Sequence, residues 1–188
     1  YGKKALTLHK KLQGKIVISS KLSIKSKDTL STVYTPGVGT VSSKIVQEKN
    51  NVWELTGRQN SVAIVTDGTA VLGLGNIGPE AALPVMEGKA ALFAEFGDVN
   101  AYPLCIKSGS IEEIASVIRM IEPSFGGINL EDIAAPVCFE LEEKLKDLKL
   151  STSVMYRLKG LLFSTANSIS SRSLFLKTWA IFRWVRRS

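Results

Sequence analysis

The sequence has little of the chemistry that histidine and cysteine supply. It contains one histidine, His9, and two cysteines, Cys105 and Cys138, neither of which belongs to a Cys-x-x-Cys pair. Histidine-based catalytic triads and zinc clusters are therefore excluded within this chain, because they need more of these side chains. His9 lies in a basic segment, where we expect it to be exposed and not catalytic. Both cysteines lie among apolar residues, and we expect structural thiols in a reducing compartment.

Long apolar runs are also absent. No stretch reaches the roughly 18 consecutive apolar residues that a membrane-spanning helix requires. No apolar stretch follows the first residues either, so we expect no signal peptide and predict a cytoplasmic protein. The chain has 188 residues, of which 45% are hydrophobic, and this is enough for one domain with an appendage.

Positive charge is concentrated at one end of the chain. Residues 151–188 hold seven of the 24 Lys and Arg residues and no Asp or Glu, which leaves 17 residues of each sign in residues 1–150. The net charge of +7 and the pI of about 9.4 therefore describe the end of the chain and not its main part. We accordingly predict no nucleic-acid partner, since residues 1–150 are neutral.

Strand and helix patterns alternate between residues 61 and 148. Short apolar runs predict buried strands at residues 61–66, 99–106 and 126–130. Helices are predicted from Pro79 or Pro84 to about residue 96, from the capping box of Ser110 and Glu113 to about residue 121, and from Pro136 to about residue 148. This alternation predicts an α/β fold, with a three-layer sheet of mainly parallel strands and helices on both faces.

The first fifty residues are predicted to be mostly helical, with a short helical segment at the N-terminus. The predicted elements are a helix over 5–13, a strand over 15–19, a helix from a cap at Asp28 towards Tyr34, and a helix over 40–50. Between the last two, residues 34–37 match a type II turn, with Pro36 and Gly37 at its central positions.

Four side chains could carry chemistry, and each also has a plain structural interpretation. Lys89 lies among apolar residues, where burial lowers a lysine pKa towards the range of a general base, or it is an ordinary helix lysine with its tip in water. Tyr34 is a core aromatic residue, or a phenol held at a cleft edge by the turn after it. Glu131 and Asp132 form a solvated acidic turn, or, where a strand ends, two oxygen ligands of Mg²⁺ or Mn²⁺.

Four segments stand out by their order and spacing. They are YTPGV at 34–38, DGTAVLGLGNIG at 67–78, PVMEGKAALF at 84–93 and GGINLEDI at 126–133. Together they resemble the catalytic N-terminal domain of the malic enzymes, the decarboxylating malate dehydrogenases, over about residues 5–148. Residues 69–71, Thr-Ala-Val, are similar to the small bacterial and archaeal type. The resemblance implies that the chain stops before the family's dinucleotide-binding domain.

The resemblance implies a reaction and a role for each candidate residue. Malate and NAD or NADP would be converted to pyruvate, CO₂ and reduced cofactor. Lys89 would be the base and Tyr34 the proton donor, both in contact with substrate, while Glu131 and Asp132 would bind Mg²⁺ or Mn²⁺. The resemblance also implies a homo-oligomer. The cofactor-binding residues stay unknown, because the main NAD or NADP domain is missing.

The glycines Gly73, Gly75 and Gly78 form a G-x-G-x-x-G pattern that has two interpretations. The pattern occurs in dinucleotide-binding loops, where it places a tight turn under a pyrophosphate. It also suits a close-packed glycine turn that lines a cleft, and the resemblance places this stretch in the catalytic domain. We therefore favour the glycine turn and keep the phosphate loop as the alternative.

The chain departs from the family pattern after its last predicted helix. Malic enzymes have a His-Asp-Asp segment there that supplies a further metal carboxylate, whereas residues 149–157 contain neither Asp nor His. We therefore divide the chain into a malic-enzyme catalytic domain, residues 1–150, and a divergent basic tail, residues 151–188. The tail resembles no family, and its proposed origins or states are a frameshift or missplicing, disorder, or a membrane-surface helix at 174–187.

Three functions follow from these observations. The first is a malic enzyme that is poorly active until a second domain completes it. The second is a non-catalytic malic-domain remnant that binds intact subunits. The third is a binding module whose basic tail contacts anionic membrane surfaces, the only membrane contact that the sequence suggests.

Overall fold

A computed structural model describes residues 1–148 with their side chains, and residues 151–158 and 161–166 as backbone strands. The contacts divide the described residues into two compact units. The smaller unit is residues 17–59, and the larger unit combines residues 1–16 with the described residues from 60 onwards. The membrane-surface helix predicted at 174–187 lies outside the described residues, so that hypothesis stays a prediction.

A sheet of five strands belongs to the larger unit. The strands are β1 Ser61–Thr66, β2 Asn100–Cys105, β3 Gly127–Leu130, β4 Ser151–Leu158 and β5 Leu161–Ala166. Their spatial order is β2-β1-β3-β4-β5. The pairs β1–β2, β1–β3 and β3–β4 are parallel, and only β4–β5 is antiparallel among them. The predicted α/β class with a mainly parallel sheet is confirmed.

The helices are divided between the two units. The larger unit contains α1 Gly2–Leu12, α5 Gly78–Gly97, α6 Ile111–Ile121 and α7 Val137–Lys144. The smaller unit contains α2 Lys27–Val33, α3 Val38–Gln47 and α4 Asn51–Leu55. Short 3₁₀ turns occur at Gly57–Asn60 and Glu122–Ser124. No helix in the described part of the chain is both long and apolar enough to cross a bilayer.

β1 is buried along its whole length. Alternate residues of a strand point to opposite faces, so complete burial requires cover on both sides of the sheet. α5 packs against β1 and β2, while α7 packs against α6 and β4. This explains why residues 61–66 form a continuous apolar run without the alternation of a half-exposed strand.

The core between α5 and the sheet consists of residues that are almost fully buried. They are Val62, Ile64, Met86, Ala90, Phe93 and Val99. Met86, Ala90 and Phe93 are spaced four and three positions apart, so they form one stripe along α5. This stripe fixes the rotation of α5 on β1 and thereby the position of every other residue of that helix.

Two predictions for the first fifty residues are wrong. Residues 15–19 form no strand, and Val17 and Ile18 are 87% and 82% exposed, so these apolar side chains are not part of a buried sheet. α2 begins from a cap at Ser26 and not at Asp28, since the Ser26 hydroxyl accepts a hydrogen bond of 3.0 Å from the amide of Thr29. Serine fills the cap position as well as aspartate does.

The backbone after residue 150 also differs from the sequence prediction. The sequence pattern predicts no strand in residues 151–188, whereas β4 extends the sheet beside β3 and β5 returns antiparallel to it. The pattern for a strand was hidden because Ser and Arg residues interrupt the apolar positions there. The domain boundary at residue 150 stays a prediction.

Phe93→Ala is expected to lower the free energy of unfolding by about 3–5 kcal/mol, because it leaves a cavity in the core between α5 and the sheet. Phe93 is 2% exposed, whereas Leu83 on the same helix is 41% exposed. The matched control Leu83→Ala is expected to change stability by no more than about 0.5 kcal/mol. Urea unfolding of the two variants measures both values, and equal losses would contradict this account of the core.

Candidate active site

The segments that follow β1 and β3 lie at one edge of the sheet. β1 and β3 are parallel neighbours, so their carboxyl ends point the same way. Residues 67–70 continue from β1 and residues 131–134 continue from β3. In open parallel sheets, ligands bind outside the carboxyl ends of the strands. This edge is therefore the first place to look for a functional site.

Lys89 and Glu131 form an ion pair at this edge. The Nζ atom of Lys89 lies 2.8 Å from Oε1 of Glu131, and the side chains are only 18% and 11% exposed. The interpretation of Lys89 as an exposed helix lysine is therefore wrong. Glu131 continues the β1–β3 ladder, because its amide donates a 2.9 Å hydrogen bond to the carbonyl of Val65.

Burial controls the electrostatics of Glu131. Loss of solvent raises the pKa of its carboxyl group, and the nearby Asp132 charge acts in the same direction. The Lys89 ammonium and a hydrogen bond from the Asn129 side chain oppose this rise. Asn129 lies two residues before Glu131, so both side chains are on the same face of the strand. The carboxyl group is thus held in an environment where only local partners support its charge.

Asp132 lies where the backbone leaves the sheet. β3 ends at Leu130, and Asp132 has a φ of +51°, in the left-handed region that non-glycine residues rarely adopt. Its carbonyl accepts a 2.9 Å hydrogen bond from the amide of Ala70. Burial raises the pKa of the Asp132 carboxyl group, and Lys89 opposes the rise. The backbone turn that two neighbouring carboxylates need in order to share one ion is therefore present.

Asp67 is a buried carboxylate for which the sequence pattern predicts no role. It is 4% exposed, and its Oδ1 atom accepts hydrogen bonds from the amide and the hydroxyl of Thr69, at 3.0 and 2.6 Å. An aspartate that accepts from the residue two positions later is a common turn element. The available signal was this Asp-Gly-Thr sequence directly after a buried strand.

Gly68 allows α5 to begin close to the end of β1. Its φ is +70°, and a Cβ atom there would lie 2.2 Å from the carbonyl oxygen of Gly78. The carbonyl of Gly68 accepts hydrogen bonds from the amides of Ile77 and Gly78, at 3.0 and 3.3 Å. No other residue type fits this approach, and the approach sets where α5 starts.

The glycine pattern at residues 73–78 forms a turn beside this contact. A bridge pairs Val71 with Gly75, and the three glycines of the pattern all have positive φ. Residues 67–72 separate β1 from the first glycine, unlike a dinucleotide loop, in which the glycines form the first turn after the strand. This favours the glycine-turn interpretation. The predicted close packing is wrong, because a Cβ atom at each of the three would meet nothing within 4 Å.

Tyr34 belongs to the smaller unit and directly follows α2. Its side chain is 67% exposed, so the interpretation of a core aromatic residue is wrong. The predicted type II turn is also wrong, since Gly37 has a φ of −55° and not the positive value that such a turn requires. Glycine is needed at 37 for space, because a Cβ atom would lie 2.5 Å from the carbonyl oxygen of Thr32.

The remaining candidates keep structural roles. His9 is half-buried, and its Nδ1 and Nε2 atoms lie 2.7 Å from the Ala5 carbonyl and the Lys15 Nζ atom. Both cysteines are free, and burial raises the pKa of each thiol. Raised values keep these thiols protonated and unreactive near neutral pH.

Comparison with known proteins identifies the family. The malic enzyme N-terminal domain matches residues 13–146. This chain belongs to the malic enzyme family. It is 55% identical over 134 residues to an NAD-dependent malic enzyme of Geobacillus stearothermophilus, covering 71% of this chain and 28% of that protein. It is 53% identical over 142 residues to a bifunctional malic/malolactic enzyme of Bacillus subtilis, covering 76% and 35%.

Solved structures of malic enzymes share the fold. The NAD-dependent malic enzyme of Thermotoga maritima superposes with a TM-score of 0.77 at 47% identity, over 79% of this chain and 42% of that one. The malic enzyme of Pyrococcus horikoshii gives 0.76 at 46% identity, over 81% and 36%. The chain thus spans about a third of the length of the curated relatives named above.

The oxygen donors of this malic-enzyme domain suit a hard divalent cation. Within residues 1–148 no group of three or more His, Cys, Asp or Glu side chains forms a metal cluster. Mg²⁺ is often held by one or two carboxylates and completes its shell with water and substrate oxygens. Glu131 and Asp132, two neighbouring carboxylates whose pKa values are raised by burial, fit that requirement.

Lys89→Met is expected to lower the free energy of unfolding by about 3–5 kcal/mol, since it leaves a buried carboxylate without its ionic partner. The double variant Lys89→Met/Glu131→Met is expected to recover much of this loss, because both charges are then absent. Lys144→Met, which removes an exposed partner of Glu112, serves as the control and should leave stability unchanged. Additive losses at 89 and 131 in denaturant unfolding would show that the two charges do not interact.

Proposed function

We propose that this domain supplies the catalytic residues of an oxidoreductase that converts malate to pyruvate and CO₂ with NAD or NADP. The observation that carries the proposal is the buried Lys89–Glu131 pair beside Asp132, at the carboxyl edge of a parallel sheet. Membership of the malic enzyme family supports it, as do relatives whose names specify NAD or NADP dependence.

Lys89 is the residue best placed to accept a proton. Its side chain is only 18% exposed, and its Nζ atom lies 2.8 Å from Glu131, one of the proposed metal ligands. In the proposed reaction Lys89 removes the proton of the C2 hydroxyl group of malate. Glu131 holds the amine in position, since its carboxylate lies within hydrogen-bonding distance of Nζ. Bound NAD or NADP would accept the hydride from C2.

Glu131 and Asp132 are proposed to hold Mg²⁺ or Mn²⁺. When bound there, the cation would stabilise the negative charge that develops on the substrate oxygen as CO₂ departs. Both carboxyl groups are buried enough to have raised pKa values. A divalent cation would offset that penalty, because it favours their charged forms.

Tyr34 is proposed to protonate C3 after decarboxylation. Its side chain is 67% exposed, its amide donates a hydrogen bond to the carbonyl of Leu30, and its carbonyl accepts one from the amide of Val38. In the proposed reaction its hydroxyl donates the proton to C3, while Lys89 acts as the base in the earlier step. Its approach to Lys89 stays a prediction, because Tyr34 belongs to the smaller unit.

The setting of the enzyme is also proposed. A cytoplasmic location is supported by two free thiols, which persist in reducing compartments. Homo-oligomerisation and a separate dinucleotide-binding domain are expected from the family resemblance. A non-catalytic role, in which the domain binds intact subunits, is the second candidate. It is favoured by the small donor set, since no group of three or more His, Cys, Asp or Glu side chains in the described residues could hold a metal ion.

A chimaera tests catalysis in a complete enzyme. Residues 13–146 would replace the matching region of the Geobacillus stearothermophilus malic enzyme, and malate-dependent reduction of NAD would be measured with Mn²⁺. We expect activity, and we expect Lys89→Ala to lower kcat by about 10²–10⁴-fold, the usual contribution of a general base. Lys146→Ala, at an exposed lysine of the same domain, should not change it. A folded chimaera that is inactive, or a fully active Lys89→Ala variant, would refute the proposal.

Metal binding can be tested on the chain itself. Electron paramagnetic resonance of free Mn²⁺ gives the dissociation constant directly. Asp132→Asn is expected to weaken Mn²⁺ binding at least about tenfold. Substituting a residue that only hydrogen-bonds a metal ligand already lowers the metal affinity by that much. Asp147→Asn removes an exposed carboxylate and should leave the affinity unchanged. Equal affinities of the two variants would place the ion elsewhere.

A further inference from the structure

Thr69 connects the loop after β1 to the segment after β3. Its Oγ1 atom donates a 2.6 Å hydrogen bond to Oδ1 of Asp67 and accepts a 2.9 Å hydrogen bond from the amide of Ala134. A hydroxyl has one hydrogen and two lone pairs, so it can make both bonds at once. Ala134 lies two residues after Asp132, one of the proposed metal ligands.

A second hydrogen bond joins the same two segments. The amide of Ala70 donates to the carbonyl of Asp132 at 2.9 Å. The residues that follow β3 are thus held at the carbonyl of 132 and at the amide of 134, on either side of Ile133. Glu131 is held in turn by its own amide bond to Val65. The backbone beside both carboxylates is therefore fixed from one side by the loop after β1.

These two hydrogen bonds hold the backbone where its conformation is least favourable. Asp132 has a φ of +51°, and such conformations persist in non-glycine residues only when the surroundings hold them. The buried Asp67 carboxylate orients Thr69, because it accepts from both its amide and its hydroxyl. With its hydrogen directed at Asp67, the hydroxyl presents a lone pair to Ala134.

We propose that Thr69, oriented by Asp67, is a positioning residue that holds the Asp132 turn so that Glu131 and Asp132 can share one divalent cation. Neither Thr69 nor Asp67 is itself a ligand in this proposal. The proposal rests on the proposed function, since it assigns these residues to the metal site of that reaction. A merely structural role would affect folding without a specific effect on metal affinity.

The experiment compares Thr69→Val with Thr69→Ser in the whole chain. Valine keeps the shape of threonine but removes the hydroxyl, whereas serine keeps the hydroxyl. The Mn²⁺ dissociation constant is measured by electron paramagnetic resonance. We expect Thr69→Val to weaken Mn²⁺ binding by about 10–100-fold, the range found for residues that orient metal ligands, and Thr69→Ser to stay near the wild type. The matched control is Thr56→Val, which removes an exposed hydroxyl that donates a hydrogen bond to the Val52 carbonyl.

Amide hydrogen exchange gives a readout that does not involve metal. We expect the Ala134 amide to exchange faster in Thr69→Val than in Thr69→Ser, because only the valine variant removes its acceptor. Should Thr69→Val fail to fold, Thr69→Ala takes its place, since it also removes the hydroxyl that accepts from the Ala134 amide. Weaker Mn²⁺ binding by a folded Thr69→Ala variant supports the proposal, and unchanged binding overturns it.

The outcomes separate this inference from the function on which it rests. If the wild type binds Mn²⁺ and Thr69→Val binds it equally well, the positioning role is overturned while the metal site stands. If the wild type itself binds no Mn²⁺, the proposed metal chemistry is overturned, and the positioning role falls with it. Loss of affinity in Thr69→Val with recovery in Thr69→Ser supports both.

Discussion

The buried ion pair between Lys89 and Glu131 is the constraint on which the site depends. An ammonium and a carboxylate that have lost most of their water must lie close together, or each carries an uncompensated penalty. Their 2.8 Å separation therefore requires α5 and the end of β3 to keep a fixed relation. The packing of Met86 and Phe93 against β1 fixes the position of α5 in this arrangement. A hydrophobic core and an electrostatic requirement thus act on the same helix.

Much of the fold could be predicted where local signals and burial agree. β1 was predicted to the residue, because a strand covered on both faces is a short apolar run with polar ends. The capping box of Ser110 and Glu113 likewise marked the start of α6. The predictions failed where a strand depends on a partner that the local sequence does not specify. Val17 and Ile18 have the residue types of a strand but no sheet to join, and β4 depends on pairing with β3.

The residues proposed for the site could be named from the sequence, but the hydrogen bonds that hold them could not. Lys89, Glu131 and Asp132 were proposed through a family resemblance, and their role in a site stays a prediction, while the structure brings them to one edge of the sheet. The part played by Thr69 could not be found in this way, because its partner Ala134 lies 65 positions away in the sequence. A hydrogen bond between a hydroxyl and a distant backbone amide leaves no spacing rule to detect. Only the register of β1 beside β3 brings the two together.

The contact at Gly68 limits how the loop of residues 69–76 can vary between related chains. Its carbonyl accepts hydrogen bonds from the amides of Ile77 and Gly78, so residues 69–76 form a loop that is closed at its base. Leu72 and Leu74, at the far end, are 70% and 66% exposed. Extra or missing residues at that end would leave the closed base, and hence the start of α5, in place. Length variation is therefore tolerable beside Leu72, while a single methyl group at position 68 is not.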